Sequence, residues 1–233
     1  MSEQSVVAVV PAAGIGSRMQ ADKPKQYLTL AGKTILEHTL HTLYSHPAVD
    51  KVVVSINPDD PYFVTLDIAK AHWLTVVNGG ETRADSVLAG ITTLQDDTWA
   101  MVHDAARPCV SHSDIDKLLC VQNRADVAGG ILATPVRDTM KRALDGTTEV
   151  SHTESRDNLW HALTPQLFKA GALKAALMRC ADGEVAITDE ASAMEAAGYR
   201  VALIDSNPAN IKITHPADMP LAAFYFQQLT KQR

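Results

Sequence analysis

Cysteine is scarce in this chain, and positive charge and long apolar runs are in short supply too. The three cysteines, Cys109, Cys120 and Cys180, form no CxxC pair and are odd in number. Together with an N-terminus, MSEQS, that leads into the first apolar run without a basic segment, they predict reduced thiols in a cytoplasmic setting. No apolar run approaches the roughly 20 residues a membrane span needs. Lys and Arg number 21 against 27 Asp and Glu, a formal net charge of -6. That balance argues against nonspecific nucleic-acid binding, which runs on excess cations. An anionic ligand must therefore be met by local clusters of Lys and Arg. The signatures GxSxG and HExxH are absent as well, and so is the Walker loop GxxxxGK[ST], because Gly32-Lys33-Thr34 has Tyr27 where its first glycine would stand.

What remains is an ordinary soluble composition, 46% hydrophobic and 21% charged. A length of 233 residues suits one large domain, which buries roughly 70% of its unfolded surface and needs no staples. Val6–Val10 is continuously apolar, the pattern of a strand buried on both faces of a parallel sheet. Thr34–Tyr44 has helical spacing, followed by strands at Lys51–Ile56 and Leu74–Val77. A helix over Ala84–Leu94, a strand over Trp99–His103, a helix over Ser111–Val121 and a strand over Gly130–Val136 continue the series. Repeated β-α-β units predict an α/β fold, a doubly wound, mostly parallel Rossmann-like sheet with ligands beyond the strands' carboxyl ends. Further helices are expected over Pro165–Cys180 and from Thr188-Asp189-Glu190. Short strands are expected at Val201–Ile204 and Asn210–Thr214. A last helix starts at Pro216 and Asp218, with a thick apolar face through Phe224. The polar stretch between Val136 and Trp160 breaks the alternation, and Asp145-Gly146 at its centre signals a hairpin. Composition alone favours a solvated surface hairpin over an arm that reaches a second subunit.

Three clusters follow strand ends. The first is PAAGIGSRMQADKPK, from Pro11 to Lys25. Its Gly14 and Gly16 fail the dinucleotide fingerprint, because Met19 stands at the third glycine and no acid tips the second strand. Two glycines in a turn say little, but Arg18, Lys23 and Lys25 beyond a buried strand suit a polyphosphate clamp. The second is Asn78–Ser86, NGGETRADS, where Gly79 and Gly80 permit close backbone approach to a flat ligand. Helix capping accounts for its Asp85 or Ser86 equally well. The third is HDAARP, residues 103–108. Asp104 is placed to help hold a magnesium ion or a sugar hydroxyl, or simply to pair with Arg107. His103 lies on the opposite face and reads as a packing residue rather than a base. His38 and His41, three apart on a helix, lack a third ligand nearby and read as structural.

In this order, PAAGIGSRM, KPKQYL, NGGETRADSV and VHDAARP closely resemble the 2-C-methyl-D-erythritol 4-phosphate cytidylyltransferases of the non-mevalonate isoprenoid pathway. GGILATPVRDTMKR, SRDNLWHALTPQ, ITDEASAMEAAG and NIKIT extend the resemblance over nearly the whole chain. The opening loop alone would fit any nucleotidyltransferase of this fold; HDAARP followed by PVRDTMKR and TPQ is much narrower. Leu163 departs from the Gln that many members carry before the Thr-Pro, while Thr164 is kept.

The resemblance implies a single nucleotidyltransferase domain over residues 1–233, using CTP as co-substrate and Mg²⁺ or another divalent cation. It implies that Pro11, Ala12, Ala13, Gly14 and Gly16, with Arg18 and Lys25, hold the triphosphate. Gly80, Arg83 and Ser86 fall in the cytosine region. Asp104, Arg107, Thr164, Thr188 and Lys212 line the acceptor side, with any metal held mainly by the CTP phosphates and Asp104 as a candidate ligand. It also implies that residues 137–158 form an arm exchanged across a homodimer, so that Thr139 and Arg156 serve the neighbour's site. That replaces the solvated-hairpin reading. The candidate catalytic set is Arg18, Lys25, Arg156 and Lys212. A ribitol 5-phosphate cytidylyltransferase is the near rival, and an NAD(P)-dependent oxidoreductase is the rival from another class.

Overall fold

The computed structural model describes residues 5–14, 23–183 and 186–231. Its first strand, β1 (Val6–Pro11), shows why the opening run is unbroken. Val6, Ala8 and Val10 face one apolar layer with Leu36, Leu40 and Leu43, while Val7 and Val9 face another with Val87, Ile91 and Leu173. Each Val buried this way stabilises the fold by roughly 1.5 kcal/mol or more. A strand with two buried faces has no position left for a polar residue.

A small hairpin of β2 (Thr29–Leu30) and β3 (Lys33–Thr34) leads into α1 (Ile35–Tyr44). Thr34 and Glu37 close a capping box there: Thr34 Oγ1 accepts from the Glu37 amide, and Glu37 accepts from the Thr34 amide. The chain continues through β4 (Val49–Ile56), β5 (Leu74–Asn78), α2 (Arg83–Ile91), β6 (Trp99–Val102), α3 (His112–Leu119) and β7 (Gly129–Pro135). After the arm strands β8 (Met140–Ala143) and β9 (Val150–Glu154) come β10 (Trp160–Lys169), α4 (Ala170–Asp182), α5 (Glu190–Ala196), β11 (Val201–Asp205) and α6 (Asp218–Lys231).

Among the described residues the central sheet has seven strands in the order β11-β7-β10-β6-β1-β4-β5. β1 pairs in parallel with β4 and β6, β4 with β5, and β7 with β11. β10 runs antiparallel between β6 and β7. The chain leaves β1 toward β5 and then returns across it to β6. The crevice beyond the carboxyl ends of β1 and β6 is therefore the switch point where such sheets bind ligands. Helix α2 seals this region closely. A Cβ on Gly90 would stand 2.5 Å from Val9 Cγ1, so only glycine lets the helix approach the strand this far.

Three expectations change. Pro165–Lys169 belongs to β10, and the helix begins at Ala170. Residues 210–214 form an extended segment without a ladder, pinned where the Ile213 amide donates to the Ala106 carbonyl at 2.9 Å. The final helix buries fully only Ala222 among its described residues, and Phe224 stays 55% exposed.

Candidate active site

Beyond β1, the Ala12 amide donates to the Ser55 carbonyl at 2.8 Å, carrying the sheet's hydrogen bonding one residue into the loop. Gln26, nearly fully buried, donates through Nε2 to the carbonyls of Ala12 and Gly14, both at 2.9 Å. These bonds turn the loop carbonyls inward onto the protein. Lys25 stands beside this support and donates from Nζ to the Ile213 carbonyl at 3.0 Å. That contact joins the opening loop to the 210–214 segment, 188 residues away.

The opposite wall is the start of α2. Thr82 is the N-cap, in place of the expected Asp85 or Ser86, and Asp85 is its N3 partner in a capping box. Ser86 is buried; its Oγ accepts from the Gly80 amide at 3.2 Å and donates back to the Thr82 carbonyl at 3.1 Å. Gly79 lies so near the first loop that an added Cβ would stand 2.5 Å from Ala13 Cβ. The two loops thus face each other across a cavity of about 230 Å³, floored by Asp104, Ala105 and Ala106.

Asp104 is the hub of the charge arrangement. Its Oδ1 accepts from Arg83 Nε at 3.0 Å, and its Oδ2 faces Lys212 Nζ at 2.8 Å and Arg107 Nε at 3.4 Å. Burial pushes its pKa up, yet the Arg83, Lys212 and Arg107 cations outweigh that and hold it well below the usual carboxylate range. Arg107 is fixed from behind, donating to the Asn210 carbonyl at 2.7 Å. Arg83 also grips Glu190 with both terminal nitrogens, at 2.6 and 3.1 Å. Burial works to lower the Arg83 pKa, but Glu190 and Asp104 keep it above the ordinary arginine value.

His103, wholly buried, bonds through Nε2 to the Arg107 carbonyl at 2.9 Å, so that nitrogen carries the proton. Its Nδ1 then accepts from the Thr164 hydroxyl at 3.0 Å, and Thr164 Oγ1 accepts in turn from the Asp104 amide. Burial drives the His103 pKa down to about 4, so the ring is neutral at pH 7. It locks the HDAARP turn and abstracts nothing. The packing reading stands.

The structure brings most of the expected residues together. Pro11, Ala12, Ala13, Gly14, Lys25, Gly80, Arg83, Ser86, Asp104 and Lys212 line the first cavity. Arg83, Asp104, Arg107, Thr164, Thr188 and Lys212 line a second, of about 260 Å³. Arg83, Asp104 and Lys212 belong to both. Gly16 and Arg18 lie outside the described residues. Thr139 and Arg156 sit on the arm and line neither cavity. The arm is a separate two-stranded sheet, exposed at every residue from 137 to 153, and Gly146 takes a φ of +72° in its turn. Arg156 donates to the Arg137 carbonyl across its base. His38 bonds the Leu30 carbonyl and packs on Phe226, a structural role as read.

Sequence reading passed over Gln26, Gln166, Glu190 and Asn210. Gln26 bonds the 11–14 loop, Glu190 bonds Arg83, and Asn210 bonds Arg107 through its backbone and Thr164 through its side chain. Gln166 ties down the start of α5, and the acidic Glu190 looked like a helix-start residue. As a metal ligand Asp104 does not fit, since both its oxygens already face cations. Among the described residues no group of three His, Cys, Asp or Glu is placed to hold a metal. A divalent cation would have to be carried by a ligand's own oxygens.

Comparison with known proteins gives one answer. The family model described as 2-C-methyl-D-erythritol 4-phosphate cytidylyltransferase matches residues 6–228. A protein of that name from Alteromonas mediterranea is 60% identical over 228 residues, spanning 98% of this chain and 95% of the relative. One from Serratia proteamaculans is 54% identical, over 96% of this chain and 95% of its own. Among solved structures, that of the Francisella tularensis protein of the same name superposes with a TM-score of 0.81 at 37% identity, covering 95% and 99% of the two chains. The Thermus thermophilus structure gives 0.78 at 28% identity, covering 96% and 99%.

Proposed function

The chain belongs to the 2-C-methyl-D-erythritol 4-phosphate cytidylyltransferase family, and on that premise we infer that its two adjoining cavities seat the two substrates of one transfer. The reaction joins the cytidylyl group of CTP to the phosphate of 2-C-methyl-D-erythritol 4-phosphate in isoprenoid biosynthesis. Its products are 4-diphosphocytidyl-2-C-methyl-D-erythritol and pyrophosphate. A ribitol phosphate acceptor is not favoured, because the relatives' shared name specifies methylerythritol. Membership of the family also removes the nicotinamide reading.

One observation carries the assignment of substrates to cavities: Arg83, Asp104 and Lys212 form a charged wall common to both. CTP lies against the 11–14 loop, Gly80 and Ser86, with Lys25 on its phosphates. Gly16 and Arg18 extend that clamp. The acceptor lies against Arg107, Thr164 and Thr188, with its phosphate reaching Lys212. The nucleophile is a phosphate monoester whose second pKa is near 6, so at pH 7 it is mostly a dianion and needs no base. The obstacle is repulsion between two polyanions, and fixed cations on both sides of the bond to be broken lower it. The acceptor oxygen attacks the α-phosphorus in line and pyrophosphate leaves, with no covalent enzyme intermediate. Mg²⁺, when bound, would be held mainly by the CTP phosphates and would offset part of their charge.

Residues 1–233 act as one nucleotidyltransferase domain, with 137–158 as its dimerisation arm. An exposed two-stranded sheet carrying Met140, Leu144 and Val150 on its surface supports a role against a second copy. Thr139 and Arg156 then reach the neighbour's acceptor. Among the described residues no helix is long and apolar enough to cross a membrane, and a cytoplasmic location agrees with the uncrosslinked cysteines. Pyrophosphate release with CTP, UTP, ATP and GTP against methylerythritol phosphate and ribitol phosphate tests the reading. Turnover confined to CTP with methylerythritol phosphate is expected; equal turnover with ribitol phosphate would refute the acceptor.

A further inference from the structure

The side chain that the transfer leaves unexplained is Glu190. It opens α5, is 1% exposed, and lines neither cavity. A carboxylate taken wholly out of water costs several kcal/mol unless it is paired and hydrogen-bonded. Burial pushes the Glu190 pKa up, and Arg83 works against that. The two-pronged contact with Arg83, at 2.6 and 3.1 Å, is the geometry of an ionised carboxylate.

That contact engages both terminal nitrogens of the Arg83 guanidinium, and its Nε is spent on Asp104 Oδ1 at 3.0 Å. Arg83 is therefore not a loose cation waiting for a phosphate. It is a strut whose far end is Glu190 and whose near end is Asp104. Asp104 in turn sets Lys212 Nζ at 2.8 Å. The far end is itself anchored: Gln166 donates to Asp189 Oδ2 and accepts from the Ala191 amide, both at 2.9 Å, tying the start of α5 to β10.

We propose that Glu190 is a positioning residue for the acceptor side of the transfer, acting through the chain Glu190–Arg83–Asp104–Lys212. The strut links the first turn of α2 to the first turn of α5, across the wall the cavities share. Glu190 lines neither cavity, and of the nucleotide seat it bonds only Arg83, so the 11–14 loop, Gly80 and Ser86 survive its loss. Lys212 does not keep its place. Without the carboxylate, Arg83 closes on Asp104 alone and competes with Lys212 for its two oxygens. The role rests on the substrate assignment above.

The test compares Glu190→Gln, which keeps the shape and removes the charge, with Arg83→Lys, which keeps the charge and removes the fork. Steady-state constants for methylerythritol phosphate, CTP affinity by calorimetry and thermal melting are measured on each. A misplaced Lys212 lowers kcat/KM for the acceptor about ten-fold or more in both variants, while Kd for CTP stays within about three-fold in Glu190→Gln. Arg83 itself lines the CTP cavity, so that limit is not set for Arg83→Lys. Glu190→Asp, with the charge set back by one methylene, recovers part of the loss. The double variant is no worse than the worse single one, because both cut the same strut. Equal losses on both substrates, or unchanged constants per folded site beside a lower melting temperature, would make Glu190 merely structural and overturn the proposal. If Glu190→Gln does not fold, Glu190→Asp decides by the same split, with a smaller loss confined to the acceptor. Wild-type enzyme is assayed alongside. Its failure to turn over this substrate pair would sink the substrate assignment itself, whereas wild-type turnover with unsplit variants sinks only the role of Glu190.

Discussion

Single residues divide here between those that meet the substrates and those that hold them in place. On the proposed assignment Lys25 meets CTP, and its ammonium is already oriented by the Ile213 carbonyl. Charge on the triphosphate grows as pyrophosphate departs, so a fixed cation there acts more on the transition state than on binding. Lys25→Ala and Arg18→Ala are expected to lower kcat about 100-fold and change KM for CTP far less. Unchanged turnover would remove both from the transition state. His103 belongs with the holders, and its burial has a sign that can be checked. Its folded pKa is depressed from 6.5 to about 4, so in that window the unfolded chain binds a proton that the folded chain refuses. The stability it contributes is whole above pH 6.5 and is lost as pH falls toward 4, at most about 3 kcal/mol. His38 and His41 are lowered by burial too and add in the same direction. Urea unfolding at pH 7 and pH 4.5 should show a steep loss in wild type and a shallower one in His103→Gln. An identical slope in the two would mean that His103 is not the buried neutral ring described.

Among the elements, the arm makes the sharpest claim. A two-stranded sheet is marginal by itself in water, and this one carries exposed Met140, Leu144 and Val150. If it completes a neighbour's site, a chain with Arg156→Ala and one with Lys25→Ala are each inactive alone. Mixed, they form heterodimers in which one of the two sites is intact, giving about a quarter of wild-type activity at statistical exchange. No recovery after exchange would separate the arm from the site. The arm's hairpin was legible because Asp145-Gly146 is a local signal. β1, α1 and the HDAARP turn were legible for the same reason: their patterns are complete within a few residues. β10 was misread after Pro165 because an apolar stretch running into Ala170–Asp182 looks like one helix. What makes its first part a strand is a vacancy between β6 and β7, set by residues far away in sequence. The pairing of Arg83 with Glu190 spans 107 residues and leaves no trace in either local pattern. The strand expected at Asn210–Thr214 does not pair: Ile211 and Ile213 pack in one apolar cluster and Lys212 faces Asp104, held through single bonds to Ala106 and Lys25 rather than a ladder.

At the scale of the whole molecule, the reversal of strand order across β1 brings two loops, two cavities and one shared wall to the same end of the sheet. On the proposed assignment, that geometry sets two anions on either side of Asp104 and Lys212, and among the described residues no His or Cys lines either cavity. Nearby, His103 is sealed and neutral and Thr164 has its proton engaged. The proposed mechanism is therefore one direct displacement. Reaction of CTP carrying a single diastereomer of sulfur at the α-phosphorus tests this most directly, with the product's configuration read by ³¹P NMR. One in-line attack by the acceptor phosphate inverts the phosphorus, and inversion is the predicted result. Retention would require two displacements through an enzyme-bound cytidylyl group, and would contradict the mechanism.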